Sequence, residues 1–233
     1  MNGLASSFLK LNAFTIKLIA IISMFIDHAG LMFDLHSGAR VIGRLAFPLF
    51  VYLIAEGCRH SKNMNKYLMR LGLFALISEI PFDIAFGRFF GEGINFLSHT
   101  NIFYTLFLGV FCVYIHKVIK DNVRQFALVC LLSLIPLIIA MIMAHTLGSD
   151  YGFIGVLFIF TMAVFGKSKI AQSVVIGIFM LILYLPAPAM LIAGLTAIPI
   201  TLLASGELGP RVKWMFYVAY PLHLALFSLL MIW

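Results

Sequence analysis

The sequence predicts an all-α integral membrane protein: one bundle of about nine transmembrane helices, N-terminus cytoplasmic and C-terminus extracytoplasmic. Three observations predict it. The 233 residues are 63% hydrophobic and 11% charged, with mean hydropathy +1.07. A soluble domain is about 45–50% apolar and about 25% charged. The apolar runs are long and unbroken, which suits helices rather than the alternating strands of a membrane barrel. Finally, the basic residues sort by side once the runs are counted.

The runs cover 12–33, 41–58, 67–87, 100–119, 124–146, 151–166, 170–185, 187–205 and 213–232. Most approach the about 17–25 residues that a bilayer needs, with the sixth and seventh shorter. With the N-terminus inside, 13 of the 16 basic residues fall on the inner side. Only Arg40, Arg44 and Arg88 fall outside. The net charge of +7 therefore reflects topology and does not imply nucleic acid. The first run ends without a small-residue cleavage site and reads as a retained span. The three cysteines, Cys58, Cys112 and Cys130, show no metal spacing and read as buried thiols. No internal repeat supports an inverted-repeat transporter. Almost no polar sequence is left between spans, so residues 1–233 read as a single domain.

The first span, KLIAIISMFIDHAGLMFD, carries Asp27 and His28 deep in an apolar run. Charge inside a spanning helix is costly and marks a functional-site hypothesis. Lys17 precedes His28 by eleven residues. That is three turns plus roughly 20°, so both share one helix face about 16 Å apart. Asp27 points about 100° away from His28 and should bond another helix.

The second span opens with Arg40 and Arg44, spaced i,i+4, and ends at Glu56 and Arg59. Glu56 reads as a surface partner of Arg59 or Lys62. The third span closes with Glu79 and Asp83, also i,i+4, around Pro81. Like charges on one face need partners in a membrane. Antiparallel neighbours would set Arg40 and Arg44 against Glu79 and Asp83, as a structural brace or as substrate contacts. His99 and Asn101 open the fourth span. The last span holds Tyr217, Tyr220 and His223 beside Pro221, which should kink it. Most of these polar groups collect toward the outer face.

A membrane histidine beside carboxylates can serve as a general base, a proton relay or a metal ligand. Protease and phosphate-loop readings fail on their motifs: there is no G-x-S-G, no H-E-x-x-H and no G-x-x-x-x-G-K-[ST].

Several segments together are similar to one family. Residues 16–35 (IKLIAIISMFIDHAGLMFDL), 41–59 (VIGRLAFPLFVYLIAEGCR), 67–87 (YLMRLGLFALISEIPFDIAFG), 99–109 (HTNIFYTLFLG) and 214–224 (WMFYVAYPLHL) resemble the TraX family of bacterial membrane proteins. The stretch 124–212 matches only as hydrophobic helices. The resemblance implies a transmembrane acyltransferase of the bacterial inner membrane, with acetyl-CoA as donor and no metal. Its relatives include the pilin N-acetylating protein of conjugative plasmids. The wider group often places an arginine, ten residues and a histidine in the first helix. Here Lys17 and His28 stand at those positions, and lysine keeps the charge but loses the bidentate fork.

The resemblance implies His28 as general base with Asp27 and Glu79 in support, and Lys17 and Arg59 toward acetyl-CoA. Arg40, Arg44, Asp83, Asn101, Tyr220 and His223 form the substrate or structural polar cluster. The acceptor would be a pilin terminus or glycan-like group at the outer face. Two other functions fit the residues: a small proton-coupled transporter using Asp27, His28, Glu79 and Asp83 as a relay, and a non-catalytic assembly factor.

Overall fold

The computed structural model describes residues 10–90, 99–210 and 212–231. Glu92 and Arg211, which enter the charge count, lie outside the described residues, as do the side chains of Arg88 and Lys213. The described chain is helical, and its only β-type pairing is an isolated bridge between Leu11 and Ala204.

In order, the helices are α1 (Ala13–Met32), α2 (Gly38–Gly43), α3 (Ala46–His60), α4 (Met64–Phe90), α5 (Ile102–Asn122), α6 (Phe126–Thr146), α7 (Gly152–Phe165), α8 (Lys169–Tyr184), α9 (Pro188–Leu195), α10 (Ala197–Leu202) and α11 (Lys213–Leu230). Helices α2 and α3 run on as Gly38–His60, and α9 and α10 as Pro188–Leu202. The described residues therefore form nine rods, each overlying one of the nine apolar runs. Four of them, Ala13–Met32, Gly38–His60, Ile102–Asn122 and Phe126–Thr146, are long and apolar enough to cross a membrane. Pro81, Pro136 and Pro221 lie inside α4, α6 and α11, each of which continues through its proline.

Local chemistry sets several ends. Asn12 caps α1, its side chain accepting from Thr15 N–H at 2.9 Å. Asp34, just past the end of α1, takes φ +49°, a region that aspartate tolerates better than most residues. Ser168 caps α8 through Ala171 N–H at 3.1 Å, and Asn101 caps α5 through Phe103 N–H at 3.0 Å.

The chain gathers into two compact units. The first comprises residues 1–53 and 166–219. In it α1 packs on α2, α2 on α9, and α8 on both α9 and α10. Its core includes Ile16, Ala20, Leu49, Ile176 and Met180. The second comprises residues 54–165 and 220–233. There α5 packs on α4, α6 and α7 around Leu71, Val110, Phe158, Ile159 and Met162. Gly109 of α5 meets Ile159 of α7 so closely that an added Cβ would sit 2.8 Å from the isoleucine Cβ.

Large apolar side chains also face outward. On α6, Leu131, Ile135, Ile138 and Ile142 are exposed at helical spacing. On α4, Met69, Leu73, Leu76, Ile80 and Ile84 form a second such stripe. Contiguous apolar faces of this length are rare on soluble monomers and suit a hydrocarbon surround. The protein is a multi-pass membrane protein.

Candidate functional site: a chelated aspartate and a buried glutamate

In the first unit the polar centre is Asp27. Arg40 lies on α2 and Arg44 one turn on, at its C-cap, on the same face. Arg40 Nη1 donates to Asp27 Oδ2 at 2.8 Å, and Arg44 Nη2 donates to Oδ1. Arg44 also donates through Nε to the Arg40 carbonyl at 3.1 Å and through Nη1 to the Tyr184 hydroxyl at 3.3 Å. Asp27 is buried, and its side chain is 11% exposed against 12% for Arg44 and 31% for Arg40. The chelate therefore carries one net positive charge in a mostly desolvated place, where charge pairs act strongly.

Two glycines admit it. A Cβ on Gly43 would fall 2.2 Å from Asp27 Cβ, and one on Gly30 would fall 2.6 Å from Ala39 Cβ. Only small residues let α1 and α2 approach this closely.

His28 follows Asp27 on α1 and is half-buried, on a face about 100° away. Lys17 lies on the same helix, its Nζ 5.1 Å above the Phe216 ring centroid. Cation–π contact of this kind holds an ammonium without neutralising it.

In the second unit the polar centre is Glu79, only 1% exposed. Its Oε2 accepts from the Asn101 side-chain amide and, at 3.2 Å, from Asn101 N–H. The other amide hydrogen of Asn101 goes to the Ala75 carbonyl at 2.8 Å. The carboxyl group thus sits at the N-terminus of α5, where the helix dipole favours negative charge. The Tyr220 hydroxyl and the Ile102 backbone share a hydrogen bond in the same first turn. Tyr220 stacks edge-on to Phe103 at 5.4 Å and to His223 at 5.6 Å. Tyr220, His223 and Asp83 are all buried.

Arg59 is engaged at the end of α3: Nη1 donates to Glu56 Oε1, and Nη2 to the Met162 carbonyl at 2.9 Å.

The structure adds a pairing that spacing did not supply. Arg40 and Arg44, set by spacing against Glu79 and Asp83, have a counter-ion within their own unit, Asp27. Asn101, assigned by the resemblance to the substrate or structural polar cluster, gives its amide hydrogens to Glu79 and Ala75 and caps α5. Asp27 bonds another helix, as its angle to His28 required. Tyr184 was not singled out in the sequence, since a tyrosine ending an apolar helix resembles any interfacial aromatic.

These features sit on a chain whose residues 13–231 match the family described as TraX protein. The chain belongs to the TraX family. The match takes in α1 through α11, including the stretch 124–212 that the motifs left open. This TraX chain is also similar to a protein named "Probable fimbrial assembly protein FimC, serogroup H1" of Dichelobacter nodosus. The two are 30% identical over 243 residues, covering 92% of this chain and 93% of that protein. No solved structure matches the chain.

Proposed function

We propose that the chain is a bacterial inner-membrane acetyltransferase that moves an acetyl group from cytosolic acetyl-CoA to an amine or hydroxyl acceptor at the outer side. The observation that carries this reading is the placement of His28 on α1, directly beside the residue that two arginines hold in place. Family membership supports it, and the fimbrial name of the Dichelobacter relative favours a pilin terminus as acceptor.

His28 is the general base. The acceptor nitrogen or oxygen attacks the thioester carbonyl carbon, its proton passes to the His28 imidazole, the carbon–sulfur bond breaks, and CoA leaves as thiolate. Asp27 is a positioning residue: each oxygen holds a guanidinium, so its part is to fix the orientation of α1. Arg44 adds a fixed positive charge for the developing oxyanion.

The residues fit the donor at the α1 end. The Lys17 ammonium rests on an aromatic face and keeps a positive charge that suits a phosphate. From there about 16 Å of helix leads to His28, a length suited to the pantetheine arm. Arg59 fits a phosphate less well, because two of its donors are already used.

The test is purified protein in lipid nanodiscs with labelled acetyl-CoA and a peptide bearing a free N-terminal amine. His28→Ala should cut acetyl transfer by about 10²–10⁴-fold, the usual contribution of a positioned base. Transfer at the parent rate by that variant would remove His28 from the reaction.

A further inference from the structure

Glu79 uses only half of its carboxyl group. Oε2 takes two donors from Asn101, while Oε1 is buried with no hydrogen-bond partner among the described residues. Ser78 Oγ and Thr100 Oγ1, from the residues next to Glu79 and Asn101 in the chain, are also buried and without partners among the described residues. Ser78 is 0% exposed and Thr100 1%. A buried polar atom left unpaired is costly, so these three, on residues adjoining the Glu79–Asn101 contact in the chain, call for an occupant.

The surroundings define what that occupant offers. Tyr104 lies within electrostatic reach of Glu79 and Asp83, and Tyr220 within reach of Glu79 and Asp150. Asp150 N–H closes onto the Thr100 carbonyl at 3.1 Å. The cluster is rich in acceptor oxygens, and the amide donors of Asn101 are already committed. Glu79 Oε1 lacks a donor among the described residues, and the two hydroxyls can each donate or accept.

We propose that Glu79 Oε1, with the Ser78 and Thr100 hydroxyls, forms a buried subsite in the second unit that takes a hydrogen-bond-donating head group, a primary amine or an alcohol. The occupant donates to Oε1 and places its remaining polarity against the two hydroxyls. Taking that head group to be the acetyl acceptor's rests on the acetyltransferase reading. The subsite itself rests on the unpaired atoms.

Carbodiimide labelling of the full-length protein in nanodiscs tests this, because N,N′-dicyclohexylcarbodiimide modifies carboxyl groups in apolar surroundings and mass spectrometry locates the product. Three probes compete: a short peptide with a free N-terminal amine, its N-acetyl form, and its N-terminal hydroxy analogue. The amine or the hydroxy peptide should slow labelling at Glu79 several-fold, and which one does so identifies the source of the donor. The N-acetyl peptide should give no protection. Equal protection by all three, or by none, overturns the subsite. In a second measurement, Glu79→Gln, Ser78→Ala and Thr100→Ala should each weaken binding of the protecting peptide while leaving acetyl-CoA binding as in the parent. Unchanged peptide binding in all three also overturns it. Loss of acetyl-CoA binding by the parent protein would instead refute the acetyltransferase reading, whatever the labelling shows.

Discussion

At the residue scale, one carboxylate organises the first unit. Asp27 holds two cations, and removing it leaves both without their carboxylate. Breaking a fully buried pair costs about 3–5 kcal/mol, and less where, as with Arg40, one partner is partly exposed. Asp27→Asn should therefore unfold at clearly lower temperature in detergent, and Arg44→Ala should cost more than Arg40→Ala because Arg44 is the more buried and also bonds Tyr184. Equal losses for the two arginines would contradict this ranking. Gly43 matters for the opposite reason, lack of bulk. Gly43→Ala sets a Cβ 2.2 Å from Asp27 Cβ, and overpacking of this kind costs about 1–3 kcal/mol. Its melting temperature should fall, and, on the proposed acetyltransferase reading, acetyl transfer with it, since the chelate and His28 share α1. Gly177, with nothing within 4 Å of an added Cβ, supplies the control: Gly177→Ala should be neutral or slightly stabilising.

At the element scale, the start of α5 is held by side chains from other helices. Asn101 caps its own helix and feeds Glu79 of α4, while Tyr220 of α11 meets Ile102. Loss of a cap costs about 0.5–2 kcal/mol. Asn101→Asp keeps the cap acceptor but removes the amide donors and sets a second carboxylate beside Glu79. We expect Asn101→Asp to be no more stable than Asn101→Ala, measured by thermal unfolding. Rescue by aspartate would show that the cap alone matters. Not every paired polar group here is chemical. His116 Nδ1 lies 2.9 Å from Ser133 Oγ, yet that hydroxyl gives its one proton to the Val129 carbonyl at 2.7 Å. The serine is thus bonded as a helix residue rather than poised as a nucleophile.

At the scale of the whole molecule, the nine rods and the charge count make a topology that can be probed from outside. Ser37 and Lys167 are exposed and separated by five predicted spans. Cys58 and Cys112 are buried as expected, but Cys130 is exposed; with Cys130 replaced, cysteines placed at Ser37 and Lys167 should label from opposite faces of the membrane. Lys167 is preferred to Ser168, whose side chain caps α8. Labelling of both from one face would break the nine-span arrangement. The exposed apolar stripe on α4, Met69 to Ile84, suits a hydrocarbon surround, although α4 is not among the four helices long and apolar enough to cross a membrane.

Much of this was legible in the residues alone. Hydropathy located all nine rods, because a long apolar helix needs no partner to declare itself in sequence. Family membership was legible from short motifs, and i,i+4 spacing put Arg40 with Arg44 on one face. Spacing along a helix fixes which residues share a face, but it carries no information on which helix that face meets. So the identity of a counter-ion was decided by tertiary structure: Gly30 and Gly43 let α2 lie close on α1, and Asp27 accepts a hydrogen bond from each arginine. The role of Asn101 was decided the same way, since an amide's donors are spent on whichever buried acceptor packing delivers. The Glu79 oxygen left unpaired among the described residues lay further still from sequence, because a missing partner shows only once the surrounding helices are placed.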